Sequence, residues 1–108
     1  DEEYAEAVGR LKNVRVLYID DFFKPVKDEF GRQKPPTAAD VRLAYEVLNQ
    51  RYINRLPTII SSERYLSEIE DIDLAISSRI TERSRGYSMT IGRDRGKNYR
   101  LKGEADSD

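Results

Sequence analysis

Hydrophobic and polar positions change period several times along the chain. In "DEEYAEAVGRLKNV" the apolar residues Tyr4, Ala5, Val8 and Leu11 recur at three- and four-residue intervals, the spacing of one helix face. Acids crowd its start, where the positive end of a helix dipole favours them, although Gly9 weakens the middle. "VRVLYI", Val14 to Ile19, is too short for a typical helix and rich in β-branched and aromatic residues, so it predicts a buried strand. That strand runs directly into two adjacent carboxylates, Asp20 and Asp21, followed by Phe22 and Phe23.

Residues 24–36 hold three of the four prolines, a glycine and four basic side chains, which predicts a long irregular loop. "TAAD" at Thr37 matches a capping box with Asp40 in the place usually held by Glu or Gln. It opens a helix over about residues 38–54, whose Val41, Ala44, Tyr45, Leu48 and Tyr52 form one buried face. After Pro57 a second short strand, Thr58 to Ser62, stops at Glu63. Leu66, Ile69, Ile72, Ala75, Ile76 and Ile80 are spaced for one or two short helices ending near Gly86. "YSMTI", residues 87–91, predicts a third strand, and residues 102–108 form a polar acidic tail.

Strands alternating with helices imply right-handed parallel crossovers, hence an α/β fold with a mostly parallel sheet covered on both faces. About three strands are few for such a sheet. The expectation is half of a larger α/β domain, its other half preceding residue 1.

Composition narrows the chemistry. The 108 residues include 19 basic and 20 acidic side chains, a formal net charge of -1, so any binding of nucleic acid must come from local patches. With no cysteine and no histidine, disulfides, thiolate zinc sites, cysteine nucleophiles and histidine-based triads are excluded within this chain. No apolar run approaches the roughly 18 residues of a membrane span, and a cytoplasmic protein without a membrane partner is expected.

Ligands of open parallel sheets sit beyond the carboxyl ends of the strands, where Asp20, Asp21 and Glu63 are expected. An aspartate there suits Mg²⁺, which takes oxygen ligands and completes its shell with water and phosphate; a second acid can orient an attacking water. Acids also terminate ordinary strands, and spacing alone separates neither these readings nor a Mg²⁺-dependent nuclease built on all three acids.

Read together, three segments are more specific. "VRVLYIDD" resembles the Walker B strand of an AAA+ ATPase, "PTIISSE" its sensor 1 strand and "SSRITERS" the segment bearing its arginine finger, in the family's order. In detail, residues 5–101 resemble the DnaC/DnaI/IstB group of helicase loaders, including phage and Firmicute DnaC-like replication proteins. The resemblance implies the carboxyl-terminal half of a P-loop NTPase three-layer sandwich, spanning residues 1–101. It implies that Asp20 holds the Mg²⁺ of ATP, and that Asp21 polarises the attacking water from a shorter arm than the usual glutamate. Glu63 falls at the sensor 1 position, where Ser62 substitutes if a hydrogen-bond donor is needed. Arg79 is the implied arginine finger, given in trans to a neighbouring subunit of a homo-oligomeric ring or spiral, and Arg83, one turn later, is a second contact. The implied partners are a replicative helicase and single-stranded DNA. No G-x-x-x-x-G-K-[ST] phosphate-binding loop occurs in the chain, so ATP hydrolysis belongs to a longer parent.

Rival readings are an IstB-like transposition helper ATPase and a non-catalytic AAA+-like interaction module. For Arg79 and Arg83 the alternative is a solvated helix surface salt-bridged to Glu82. Lys24, Lys27, Arg32 and Lys34 are candidate contacts to single-stranded DNA, set against a plain solvated loop with Asp28 and Glu29 interspersed. Arg93, Arg95, Lys97 and Arg100 beside Tyr99 are open to the same pair of readings.

Overall fold

A computed structural model of the chain describes residues 1–86, 88 and 89. Among these, helix α1 (Glu2–Asn13) precedes strand β1 (Leu17–Ile19), and strands β2 (Val26–Lys27) and β3 (Gln33–Lys34) form a hairpin. Helix α2 (Ala38–Ile53), strand β4 (Thr58–Ile60) and helices α3 (Leu66–Ile72) and α4 (Leu74–Arg83) follow. The molecule is α/β, with four helices and a small parallel sheet among the described residues.

Local chemistry explains the helix boundaries. Asp1 caps α1 by accepting from the Tyr4 N–H at 2.8 Å. At α2 the Thr37 hydroxyl accepts from Asp40 N–H at 3.0 Å and the Asp40 carboxylate accepts from Thr37 N–H at 3.4 Å, so the capping box forms with the shorter acid. The apolar pattern of residues 66–80 is cut into two helices at Asp73, whose extended backbone (φ -161°, ψ 115°) breaks the helix. Its carboxylate then caps α4 by accepting from Ile76 N–H at 2.9 Å.

Strands β1 and β4 are hydrogen-bonded parallel neighbours in the register Leu17↔Thr58, Tyr18↔Ile59, Ile19↔Ile60. The predicted strand at residues 14–19 is shorter than expected because its first carbonyls are claimed by a side chain. Arg51, 1% exposed, donates to Leu11 O (3.1 Å), Val14 O (2.6 Å), Arg15 O (3.4 Å) and Pro57 O (2.7 Å), and its Nε donates to the Thr58 hydroxyl (2.8 Å). One guanidinium thus ties the end of α1 to the starts of β1 and β4. Burial pulls its pKa below the usual arginine value.

Phe22, Leu48, Ile69 and Ile76 form the buried cluster, with Ile19 and Ile60 packed against it from the sheet. The opposite face is different: Val16, Tyr18 and Ile59 are 55%, 60% and 55% exposed. Among the described residues the sheet is therefore covered on one face, not on both as its apolar run predicts. The irregular loop expected at residues 24–36 contains the β2–β3 hairpin instead. The third predicted strand, residues 87–91, lies outside the described residues except for Ser88 and Met89. Among the described residues no helix is long and apolar enough to cross a membrane.

Candidate functional site

The pairing of β1 with β4 continues past both strands. Ser61 N–H donates to Ile19 O at 2.9 Å and Phe22 N–H donates to Ser61 O at 2.8 Å, so the segment after β1 stays beside the segment after β4. Asp20 is exposed there. Its Oδ1 accepts from the Ser61 hydroxyl at 2.7 Å, with the Tyr18 hydroxyl 3.5 Å from the same oxygen. Ser61 Oγ also accepts from Asp21 N–H at 3.3 Å. One serine therefore holds the first acid by its side chain and the second by its backbone.

The turn itself is strained. Asp21 (φ 57°) and Phe23 (φ 52°) adopt left-handed backbone, which for a bulky residue such as Phe costs about 1 kcal/mol or more. Compensation is local: Phe22 is buried in the core, Phe23 stacks on it with centroids 4.2 Å apart, and Phe23 O accepts from Arg64 Nε at 2.6 Å. Outliers of this kind persist where the surroundings over-determine them, and they cluster at working sites.

Ser62 has another role. Its hydroxyl donates to Phe22 O at 2.8 Å and accepts from Arg64 N–H at 3.0 Å, stitching the two strand-end segments together. The hydroxyl beside Asp20 thus belongs to Ser61, a residue missed by the sequence reading. The signal was the register: with Ile19 opposite Ile60, the next residues to meet are Asp20 and Ser61. Glu63 is exposed in the bend that follows. Among the described residues no three acids are grouped as a metal ion would need, so Asp20, Asp21 and Glu63 do not form the cluster required by the nuclease reading.

Arg79 and Arg83 lie elsewhere. Arg79 Nε donates to Asn49 Oδ1 at 3.0 Å, and its guanidinium sits 5.6 Å and 5.4 Å from the ring centroids of Tyr45 and Tyr52. Arg83 donates to Tyr52 O at 3.3 Å and lies 5.7 Å from the same ring. The two arginines do share a face, as one helical turn requires. The salt bridge to Glu82 supposed by the alternative reading is made by Arg85 instead, at 3.3 Å. An open cleft of about 1010 Å³ has Ser62, Glu63, Arg64, Arg79 and Arg83 among its lining residues, and neither Asp20 nor Asp21. Of the predicted site residues, Ser62, Glu63, Arg79 and Arg83 line this cleft and Asp20 and Asp21 do not.

The loop cations are divided as well. Arg32 is ion-paired to Asp28 at 3.3 Å, while Lys24, Lys27 and Lys34 are exposed. The basic stretch from Arg93 to Arg100 lies outside the described residues.

No protein-family model matches the chain, and no solved structure is significantly similar to it. It is 44% identical over 94 residues to an uncharacterized protein, YqaM, of Bacillus subtilis, a match covering 84% of this chain and 28% of that protein. It is 38% identical over 99 residues to the phage-like element PBSX protein XkdC of the same organism, covering 89% of this chain and 35% of that one. A 26% identical match covers 85% of this chain and 17% of an isocitrate dehydrogenase kinase/phosphatase of Enterobacter. The chain spans about a third or less of the length of these curated relatives.

Proposed function

We propose that the chain is the Walker B to arginine-finger portion of a P-loop ATPase of the AAA+ class. Its parent would be a DnaC-like loader that uses ATP to place a replicative helicase on single-stranded DNA. The reading is carried by the Asp20–Ser61 pair: a carboxylate and a hydroxyl, 2.7 Å apart, at the carboxyl ends of two adjacent parallel strands, where such sheets bind their ligands. The segments resembling Walker B and sensor 1 are hydrogen-bonded neighbours, as a shared nucleotide site requires.

The donor set suits a magnesium nucleotide in part. Asp20 is one exposed carboxylate with Oδ1 already oriented by Ser61, which fits Mg²⁺, since that ion commonly takes one or two protein carboxylates and fills its shell with water and phosphate. When bound, the ion would neutralise charge developing on the phosphates. The phosphate-binding loop would come from the parent. In this reading Asp21, whose backbone N–H donates to Ser61 Oγ, would orient the attacking water. Arg79 lines a cleft with Ser62 and Glu63 but without Asp20 or Asp21; in this reading it would be delivered to a neighbouring subunit in a homo-oligomeric ring or spiral. The phage-like element named for one relative is compatible with a phage-encoded replication protein in the bacterial cytoplasm.

The test is ATP turnover by the intact protein with Mg²⁺, with and without single-stranded DNA. Turnover abolished by Asp20→Asn supports the reading. Absence of turnover in a folded wild-type protein overturns it in favour of a non-catalytic interaction module, for which the engagement of Arg79 by Asn49 within its own chain is the favouring observation.

A further inference from the structure

Asp28 organises the tip of the β2–β3 hairpin. Its Oδ1 accepts from the N–H groups of Phe30 (2.8 Å) and Arg32 (2.9 Å), and its Oδ2 accepts from Arg32 Nε at 3.3 Å. Asp28 N–H donates to Arg32 O at 2.8 Å and Gly31 N–H to Asp28 O at 3.0 Å, with Gly31 at a φ of 78° that glycine adopts without steric cost. Two consequences follow from this turn. The Asp28 charge is absorbed inside it and offsets that of Arg32, leaving Glu29 as the remaining acid beside Lys24, Lys27 and Lys34. Phe30, in turn, is thrust outward: it is 70% exposed, with the Arg32 guanidinium 5.0 Å from its ring centroid.

Register sorts the cations by face. Lys27 stands opposite Gln33 and Val26 opposite Lys34, and successive strand residues point to opposite faces. Lys34 and Lys27 therefore project from opposite sides of the ribbon. Carried one pair further, the same register puts Asp28 and Arg32 on the Lys34 side. On this face Lys34 carries the unpaired positive charge, and Arg32, ion-paired to Asp28 through Nε, keeps its terminal guanidinium nitrogens between Lys34 and the exposed ring of Phe30.

We propose that this face of the hairpin binds single-stranded DNA, with a base stacked on Phe30 and the flanking phosphates against Arg32 and Lys34. Proteins that hold single strands combine aromatic platforms with cations tracking the backbone, and both are present here within one turn. Duplex DNA fits poorly, because its bases are already stacked and cannot offer a face to Phe30. An acidic peptide would meet the cations but gain little from the ring.

The inference deepens the helicase-loader reading by assigning the surface that meets DNA. Its test is fluorescence anisotropy of a labelled oligothymidylate with the intact protein, without nucleotide. Phe30→Ala is expected to weaken binding about 5- to 150-fold, and Phe30→Trp, which keeps a stacking face, to retain it. Lys34→Ala should lower the slope of log affinity against log salt by about 0.7, and Lys27→Ala by less. Wild-type affinity in Phe30→Ala, equal affinity for a duplex of the same length, or no binding by the wild-type protein overturns the proposal. ATP turnover by the same proteins separates the two ideas. Phe30-dependent binding without turnover keeps this inference and ends the loader reading, whereas turnover with Phe30-independent binding does the reverse.

Discussion

The Ser61 hydroxyl donates to Oδ1 of Asp20 at 2.7 Å across the paired ends of β1 and β4. Ser62, its neighbour, turns instead to Phe22 O and Arg64 N–H. Two adjacent serines therefore have separable roles, one facing the exposed acid and one holding the turn. In the intact protein, Ser61→Ala should raise the Mg²⁺ concentration needed for half-maximal ATP turnover several-fold, with a loss of stability of about 1 kcal/mol or less, because water replaces the donor to exposed Asp20 and the lost acceptor of Asp21 N–H is a long contact at 3.3 Å. Ser62→Ala should instead lower stability by about 1 kcal/mol by orphaning a part-buried carbonyl. The same Mg²⁺ dependence in both variants would contradict this division.

Arg51 is the strongest stability prediction. Its guanidinium reaches carbonyls on three segments and the Thr58 hydroxyl, and lysine lacks both the planar fork and the number of donors to do the same. Arg51→Ala should destabilise by about 3 kcal/mol or more, and Arg51→Lys by about 2 kcal/mol, through buried acceptors left unpaired. Urea midpoints measure both. An Arg51→Lys protein as stable as wild type would show that the fork is dispensable.

The pH dependence of that contribution follows from the lowered pKa of Arg51, caused by burial. Where a folded-state pKa lies below the unfolded one, the unfolded chain binds more protons between the two values, and stability rises with pH only in that window. For arginine the window lies far above neutrality. The stability difference between wild type and Arg51→Ala, which puts no titrating group in the site, should therefore be flat from pH 6 to pH 8; a marked slope there would point to another titrating group.

A finger acting in trans makes a distinctive mixing prediction. Asp20→Ala and Arg79→Ala should each abolish ATP turnover by the intact protein, yet an equal mixture should recover up to about a quarter of wild-type activity. In a head-to-tail assembly about one interface in four then pairs an intact Asp20 with an intact Arg79. No recovery in mixtures shown by sedimentation to co-assemble would count against trans action. Asn49→Ala, which frees Arg79 Nε, should lower kcat by about one to two orders of magnitude with KM little changed, as loss of positioning does.

Asp73 closes α3 and caps α4. Its replacement by alanine should cost about 0.5–2 kcal/mol, and Asp73→Asn or Asp73→Ser, which keep an accepting oxygen, should cost less. Thermal denaturation distinguishes them; equal losses in all three would mean that the cap contributes nothing.

Much of the secondary structure was legible because its causes are local. Thr37 and Asp40 sit three residues apart, and their capping box places the start of α2 at Ala38. The three- and four-residue spacing from Val41 to Tyr52 marks the face that buries Leu48. Short apolar runs placed β1 and β4, and the acids following them identified the sheet edge. The hairpin was hidden because its strands are two residues each and exposed, so no alternation of polar and apolar residues could announce them; its cause is one aspartate turning back on Phe30 and Arg32.

Local pattern alone therefore suffices for α1, β1, α2 and β4, for the capping box at Thr37 and for the pair Asp20 and Asp21 at a strand end. Which groups those residues meet depends instead on the packing of elements far apart in the chain. Ser61 reaches Asp20 across 41 positions and Arg51 reaches Val14 across 37, and Arg79 opens on a cleft that contains neither acid. Periodicity and capping act within a few residues, whereas these contacts depend on one strand register and one helix docking. A shift of β4 by a single residue would exchange the two serines and remake the site.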